Sequence, residues 1–269
     1  MALAVRSTSS ASFTTGSVVI TKPSGLAVGD LMVVCSYVIN GIHLTEPVGF
    51  NVINSVSNTA VGRLYYKFAD SSDVAASNFT FTNGGGGNAA AHMLAITGAN
   101  TTTPASISAT ATGSSASATF SLSVTPDEND SLLIFHVGAY VGSGSSITSS
   151  GYSIVTSNPS WTESVDQNVN CSNSGQMAVA YASRSAKTAT GDASVTFTSG
   201  SAFFGMMLVV RPQIQVTISE TSTLTENIIP SYGKTITDTT TTTETITTTK
   251  GRVWRQTNKP STTWTNTSK

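Results

Sequence analysis

Short runs of β-branched and aromatic residues, each closed by Gly, Pro, Asn, Asp or Ser, succeed one another over the first 212 residues. The first half contains, in order, "SVVIT", "LMVVCSYV", "FNVINSV", "GRLYYKFA", "NFTFT" and "AHMLAIT". None of these runs keeps a helical period over about 11 residues, and only "DSSDVAAS" between them has the composition of a single helical turn. The pattern predicts an all-β fold built from short strands.

A second set of runs repeats the first in outline. Residues 119–212 contain "LLIFHVGAYV", "GYSIVTS", "GQMAVAYASRS", "ASVTFTS" and "FFGMMLVVRP". In both halves a turn with a proline (Pro23, Pro126) precedes an acidic residue (Asp30, Asp130) and an apolar strand. A repeat of about 100 residues is too long for a solenoid. We therefore predict an internal duplication, with similar halves at about residues 17–100 and 119–212.

Two halves of about six strands each predict one jelly-roll-like antiparallel β-sandwich, the body, over residues 1–212. Two small sandwiches are the alternative. The stretch "TTTPASISATATGSSASA", which is rich in Ser and Thr, is expected to connect the halves across the sandwich.

The composition changes after Pro212. Residues 213–250 alternate Thr with Ile, Val, Leu, Glu and Asp, which favours extended structure but supplies too few large apolar residues for a separate core. The final stretch, "GRVWRQTNKPSTTWTNTSK", twice places a Lys five residues after a Trp. We predict an extended C-terminal arm over residues 213–269, with a disordered tail as the alternative. Its predicted partner-binding residues are Trp254, Lys259, Trp264 and Lys269.

Several of these stretches resemble a known module. "ITKPSGLAVGDLMVV", "GRLYYKFADSSD", "AHMLAITGANTTTP" and "FFGMMLVVRP" together resemble a β-sandwich module of tailed-phage structural proteins and of some bacterial secreted proteins. The likeness covers residues 17–212, and its most specific part is Pro23, Gly25, Gly29, Asp30 and Leu31. Gly49 is followed by Phe50, where the family pattern has Gly-Trp. Thr-rich tails that end in Trp-Lys repeats also resemble the ends of phage virion proteins.

The resemblance implies a non-enzymatic virion protein of a bacteriophage, either a capsid decoration protein or a tail component. We expect it to form homo-oligomers and to be attached to other capsid or tail subunits through its arm. A second hypothesis is a carbohydrate- or host-receptor-binding module of a phage fibre. In that case Tyr140, Tyr152 and Trp161, which are expected in loops, would stack on a host-surface glycan. A third is a glycan-cleaving enzyme, which needs two carboxylates from a set such as Glu46, Glu163 and Asp166.

The charge content argues against nucleic acid and anionic lipid as partners. Only 10% of the residues are charged, against the ~25% usual for soluble domains, and the formal net charge is −1. The start "MALAVRSTSSASF" lacks the apolar run of a secretory signal, and no run reaches the ~18 apolar residues of a membrane span. We expect neither nucleic acid nor a membrane as a partner, and assembly of the virion in a host cytoplasm.

Residues with side chains suited to catalysis or metal binding are few and scattered in the sequence. His92 and His136 lie in apolar runs, where histidines of the core are expected, and Cys35 and Cys171 lack the spacing of metal ligands. The Gly-rich stretch at 83–88 lacks the Lys of a phosphate-binding loop and predicts a hairpin tip.

Two groups of acidic residues could supply Ca²⁺ ligands, although acidic residues in turns are more often simply solvated. These groups are Asp70 with Asp73, and Asp127 with Glu128 and Asp130. Asp30 is expected to accept hydrogen bonds from the backbone of the preceding turn. We predict no catalytic residue, no metal site and no cofactor.

Overall fold

A computed structural model describes residues 2–13, 16–39, 41–113, 122–141, 149–154, 160–169, 174–190, 193–197, 202–213, 215–228 and 236–249. Most of the described residues lie in strands, the described part contains one short helix, and all the strand pairs are antiparallel, so the prediction of an all-β, sandwich-like fold is confirmed. The chain divides into two compact units, Met1–Gln213 and Ile214–Lys269, for which we keep the names body and arm.

The described residues of the first half of the body form seven strands and one short helix. They are β1 (Ala4–Phe13), β2 (Val18–Thr21), β3 (Leu31–Ile39), β4 (Asn51–Val56), β5 (Ala60–Phe68), α1 (Ser71–Ala75), β6 (Asn78–Phe81) and β7 (Ala89–Thr97). Five of the strands form the first sheet, in the order β1-β7-β3-β5-β4, and β2 pairs with β6. The single helical turn expected within "DSSDVAAS" is α1.

The part of the second half that the structure describes forms the next seven strands. They are β8 (Ala105–Gly113), β9 (Ser131–Val141), β10 (Ser149–Ile154), β11 (Thr162–Val169), β12 (Ser174–Arg184), β13 (Ala193–Phe197) and β14 (Ala202–Val210). Five of them form the second sheet, in the order β11-β12-β9-β14-β8, and β10 pairs with β13.

The two five-stranded sheets have equivalent strand orders. Replacing β1, β3, β4, β5 and β7 by β8, β9, β11, β12 and β14 converts the order of the first sheet into that of the second. Within this equivalence Leu31 corresponds to Leu132, because each belongs to the inter-sheet core and pairs with an apolar core residue of the neighbouring strand, Leu31 with Ile96 and Leu132 with Val210. The equivalence fits the predicted duplication, which itself stays a prediction.

The path of the chain does not follow a jelly roll. A jelly-roll chain passes repeatedly between its two large sheets. Here every strand of the first sheet comes from residues 4–97 and every strand of the second from residues 105–210. Residues 105–113, predicted as part of a connection, instead form the edge strand β8. The stretch "GYSIVTS" contributes to β10, and β11 rather than β10 is the counterpart of β4.

The main core lies between the two sheets. It is formed by alternate residues of the central strands, such as Val33 and Leu94 from the first sheet and Ile134 and Leu208 from the second. A second cluster lies between the outer face of the first sheet and the β2–β6 pair. A third covers the outer face of the second sheet with Leu122, Val124 and Ala193. The body therefore has two thin outer layers and two central sheets.

Two aromatic rings from opposite sheets meet in the inter-sheet core. Tyr37 of β3 and Phe204 of β14 stack with their ring centroids 5.9 Å apart, and the Tyr37 hydroxyl donates a hydrogen bond of 2.6 Å to the Ala139 carbonyl. A Cβ at Gly62 would overlap the Phe204 ring, and one at Gly175 would overlap the Tyr37 hydroxyl. Glycine thus lets each ring lie directly on the opposite sheet.

The stretch at 83–88 is a connection between layers rather than a hairpin tip. It joins β6 of an outer pair to β7 of the first sheet. The Asn83 side chain donates to the Gly87 carbonyl and accepts from the Gly85 amide at 3.2 Å. A Cβ at Gly87 would overlap the Ile39 carbonyl, so close packing explains the glycine there.

The arm contains one long hairpin, β15 (Gln215–Ile228) with β16 (Ile236–Thr249). Its antiparallel register runs without a shift from Gln215 opposite Thr249 to Ile228 opposite Ile236. Among the described residues these two strands form a sheet of their own.

Candidate functional site

The most specific motif of the sequence, from Pro23 to Leu31, forms the turn that leads into β3. Gly29 has φ of 87°, a conformation that favours glycine, and its amide donates to the Ala69 carbonyl at 2.8 Å. The Asp30 carboxylate, 4% exposed, accepts the Ala27 amide at 2.9 Å, so the expected bond from the turn backbone is confirmed. Arg6 of β1 adds two further bonds to Asp30, of 2.7 and 3.2 Å. These contacts give the motif a role in fixing the strand.

The first acidic group stabilises the turn around α1. Asp70 caps the helix by accepting the amides of Ser72 and Asp73, and Asp73 bonds back to the Asp70 amide at 2.9 Å. Lys67 lies 2.7 Å from the Asp73 carboxylate. The Ser72 hydroxyl, followed by the Asp73 amide, holds the pKa of Asp70 well below its usual range. Both carboxylates are therefore occupied by capping and ion pairing.

In the second acidic group, Asp127 and Glu128 each have a cationic partner. The Arg211 Nε lies 2.9 Å from the Asp127 carboxylate, and the Lys187 ammonium lies 3.4 Å from that of Glu128. Across the described residues, no group of three or more His, Cys, Asp or Glu side chains is placed to hold a metal ion.

The two histidines predicted for the core lie between the sheets, on opposite sides. The Nε2 of His92 in β7 is 2.7 Å from the Ser164 hydroxyl of β11, while the His136 ring in β9 meets the edge of Phe204 at 5.0 Å. Neither His136 nitrogen has a hydrogen-bond partner among the described residues. Burial lowers the pKa of His92 to about 4 and, with a smaller effect of His92, that of His136 to about 3. Both rings are neutral near pH 7 and out of reach of a substrate.

Cys35, opposite His92 in the β3–β7 pair, is fully buried and free. Burial raises the pKa of its thiol far above the usual range. A thiol in this state is a small apolar side chain rather than a nucleophile. Cys171 lies outside the described residues.

Two of the three aromatic residues proposed to stack on a glycan lie in strands rather than loops. Tyr140 lies in β9 and packs against the inter-sheet core, and Tyr152 lies in β10. Trp161 precedes β11 and packs on Phe135, with ring centroids 5.8 Å apart. The prediction of a loop was wrong for Tyr140, because this residue continues an apolar run whose alternate residues face the core.

The acidic residues proposed for glycan cleavage are divided between the two halves. Glu46 lies in the connection between β3 and β4, whereas Glu163 and Asp166 are exposed residues of β11. Asp166 accepts a hydrogen bond from the Gln176 side chain of the neighbouring strand. The hydrogen bonds and burial of these three residues give none of them a distinct environment.

One depression on the body has the size of a small ligand. It measures about 280 Å³ and is lined by Ile53, Tyr66, Thr102, Thr103, Pro104 and Ala105. The amides of Thr102 and Thr103 donate to the Asn100 side chain at 2.9 and 3.0 Å, which holds this wall in place. The depression therefore combines an aromatic ring with hydroxyl groups. No feature of the sequence marks it, because its lining comes from two sheets.

The predicted partner-binding residues, Trp254, Lys259, Trp264 and Lys269, lie outside the described residues. No helix in the described part of the chain is both long and apolar enough to cross a membrane. No family model, curated protein sequence or solved structure matches this chain.

Proposed function

We propose that this protein is a non-enzymatic structural component of a tailed-phage particle, displayed on the capsid or the tail and attached to neighbouring subunits by its arm. The observation that carries the proposal is the contrast between body and arm. The body has its own apolar cores, while the arm is a two-stranded ribbon followed in the sequence by two tryptophans.

The charged groups of the body support a passive scaffold. Arg6 pairs with Asp30, Lys67 with Asp73 and Arg211 with Asp127. Each pair braces a turn or a strand end. These six charged side chains thus hold the fold, and His92 and His136 lie inside the core.

The arm has the composition of an attachment device. A two-stranded ribbon is marginally stable alone in water, and ribbons of this kind gain stability from a partner. Trp254 and Trp264 each offer a large apolar ring with one N–H donor, the type of residue that dominates binding energy at interfaces. Lys259 and Lys269 contribute less, as exposed charges at an interface rim do.

The proposal is tested by measuring how well variants of the arm are incorporated into phage particles. We expect Trp254→Ala and Trp264→Ala each to weaken attachment roughly 30-fold, the equivalent of ~2 kcal/mol, and the double variant to weaken it much further. Thr263→Ala is the matched control, and the melting temperature of the body should stay the same in all variants. Normal incorporation of the double variant would contradict the proposal.

A carbohydrate- or receptor-binding module of a phage fibre is the second candidate, and the depression beside Tyr66 is the observation that favours it. Tyr66→Ala should abolish binding on a glycan array, and Tyr66→Phe should preserve it, because a stacked ring needs no hydroxyl. Tyr181→Ala is the matched control, since Tyr181 occupies the equivalent place in the second half. An array with no bound glycan for the wild-type chain would remove this candidate.

A further inference from the structure

Arg63 is a charged residue on an otherwise apolar part of the first sheet. Alternate residues of β5 point to the outer face, and the neighbours of Arg63 there, Val61 and Tyr65, belong to the cluster between this face and the β2–β6 pair. Arg63 itself is partly buried. It stands opposite Ser36 of β3 and Ser55 of β4, and residues opposite each other share a face. A polar row therefore crosses an apolar surface at Arg63.

The charge of Arg63 has no acidic partner in the described part of the chain. Arg6 and Arg211 each form an ion pair with an aspartate, whereas Arg63 takes part in no ion pair among the described residues. Its Nε is buried there without a hydrogen-bond partner, and its guanidinium carbon lies 6.0 Å from the centre of the Tyr65 ring. Burial raises the pKa of Tyr65 to about 12, so this hydroxyl is neutral near pH 7. A partly buried cation in this environment favours a counter-ion from outside the chain.

The fold itself does not require an arginine at this position. In the equivalence of the two five-stranded sheets, the counterpart of Arg63 is Ala178. Ala178 is fully buried and belongs to the apolar cluster on the outer face of the second sheet. Both residues occupy the same place in their ladders, so strand pairing leaves the choice of side chain open. The arginine therefore has a role other than holding the strands together.

Two exposed hydroxyl groups lie near Arg63 at the edge strand β4. Ser55 is opposite Arg63, and Ser57 follows the end of the strand. The Nε2 of His43 lies 3.0 Å from the Ser57 hydroxyl oxygen, and its Nδ1 is buried without a hydrogen-bond partner among the described residues. Burial, followed by the charge of Arg63, lowers the pKa of His43, so the ring is neutral near pH 7. With its proton on Nε2, the ring donates to Ser57 and leaves the serine proton free for a ligand.

We propose that Arg63, with the hydroxyl groups of Ser55 and Ser57, forms a binding site for a singly charged carboxylate group. The guanidinium offers a planar fork of N–H donors, which matches the two oxygens of a carboxylate. The two hydroxyls add donors to the same oxygens, and His43 is a positioning residue that holds Ser57. This inference goes beyond the proposed function and does not depend on it.

Glu46 limits the charge of the ligand. Besides burial, the negative charge of Glu46 raises the pKa of Tyr65, so Glu46 lies near the site. It forms no ion pair with any cation that the structure describes, which leaves the guanidinium available. A nearby negative charge repels a doubly charged anion more strongly than a singly charged one. One cation beside Glu46 therefore favours a carboxylate over a phosphate dianion.

Binding is measured on the full chain by NMR. We expect acetate, added at constant ionic strength, to shift the Nε–H signal of Arg63 and the ring signals of His43 until both saturate. Followed at His43, Arg63→Met should weaken binding at least about tenfold, and Arg63→Lys about three- to tenfold, because lysine lacks the planar fork. Ser57→Ala should weaken binding about threefold through the loss of one hydrogen bond. Glu46→Gln should strengthen it about threefold by removing a repulsive charge.

Arg211→Met is the matched control, because it removes the same charge at the end of β14 in the second sheet and should leave acetate binding unchanged. Circular dichroism checks that every variant is folded, and Ser57→Ala, at an exposed position, decides the question if Arg63→Met unfolds the chain. Glucuronate should bind and glucose should not, because the recognised group is the carboxylate. Glucuronate that binds much more tightly than acetate would support the site and identify an acidic sugar as the source of the carboxylate, whereas equal binding would support recognition of the carboxylate alone.

Shifts that do not saturate, or that persist unchanged in Arg63→Met, would overturn the site. Equal weakening by Arg63→Met and Arg211→Met would overturn it as well, because the effect would then belong to the net charge of the chain. Phosphate that binds more tightly than acetate would overturn the assignment of a singly charged ligand. Unchanged binding in a folded Ser57→Ala variant would remove Ser57 and His43 from the site.

Discussion

The two halves of the body share a strand order but differ in what their equivalent positions contain. At the centre of the inter-sheet core, Cys35 and His92 are paired on neighbouring strands of the first sheet. The equivalent pair in the second sheet is His136 and Met206. Each half therefore places one histidine in the shared core, on a different strand. This difference indicates that these equivalent positions need a buried side chain of moderate size, which need not be an imidazole.

The turns that enter the central strands differ as well. In the first half Asp30 accepts bonds from the turn and from Arg6. Its counterpart, directly before Leu132, is Ser131, whose hydroxyl donates to the Glu128 carbonyl at 2.7 Å. One half fixes this entry with an ion pair and the other with a neutral hydrogen bond. Backbone pairing maintains the architecture, and the polar groups that brace it are exchangeable.

Lowering the pH should produce the largest loss of folding stability. His92 and His136 have pKa values of about 4 and 3 in the folded body, against about 6.5 when unfolded. Between these values the unfolded chain binds protons that the folded chain does not, so stability is complete above pH ~6.5 and falls as the pH decreases toward 4 and 3. We expect each histidine to account for a loss on the order of 3 kcal/mol by pH 3.

Exchanging residues between the halves tests this directly. His92→Met with His136→Cys gives each position the residue of its counterpart, and the midpoint of acid unfolding, followed by circular dichroism, should move to lower pH. His43→Gln, at a partly exposed histidine hydrogen-bonded to Ser57, should change it little. An unchanged acid midpoint in the double variant would show that the core histidines do not control acid stability.

Added methyl groups between the sheets should have the next largest effect. Gly62→Ala on the first sheet and Gly175→Ala on the second each force a ring of the opposite half away, at a cost of roughly 2–3 kcal/mol in the free energy of unfolding by urea. Gly84→Ala, where the nearest side-chain atom is 3.6 Å away, should change the free energy by less than ~0.5 kcal/mol. Phe204→Leu should partly rescue Gly62→Ala and leave Gly175→Ala uncorrected.

The smallest change in the free energy of unfolding is expected when the ion pairs Arg6–Asp30 and Arg211–Asp127 are broken. Arg6→Met leaves the carboxylate of Asp30 buried without its cation, so we expect a loss of about 2 kcal/mol. Arg211→Met removes a cation from Asp127, whose side chain is 36% exposed, and should cost less than about 1 kcal/mol. Equal losses, measured by urea unfolding, would mean that the two braces are energetically equivalent despite their different burial.

The sequence predicts the strands well where residues are β-branched and apolar. β3, β7 and β14 follow from their runs, since each is buried along nearly its whole length. β1 and β8 were missed because their Ser- and Thr-rich edges bury little. The pairing of strands was not predicted either, because it depends on contacts between residues far apart in the chain, such as Val33 with Leu94.

The ion pairs between distant residues and the close contacts of glycines with aromatic rings were the least predictable features. Asp30 was expected to bond the turn, but Arg6 lies 24 residues away and nothing in the local pattern links the two. Gly62 and Gly175 are glycines because of rings on the opposite sheet. A local pattern cannot reveal a requirement set by a neighbour more than a hundred residues distant. The partner-binding prediction for Trp254, Lys259, Trp264 and Lys269 stays a prediction.

The separation of the two sheets along the chain has a consequence for biosynthesis. All five strands of the first sheet are available once residue 97 has left the ribosome, but the apolar surface that covers its inner face comes from residues 105–210. At ~5–20 residues per second, the nascent sheet waits roughly 5–20 seconds for that cover. During this interval it can meet a chaperone or the first half of another nascent chain. A slower ribosome would lengthen this interval, and a faster one would shorten it.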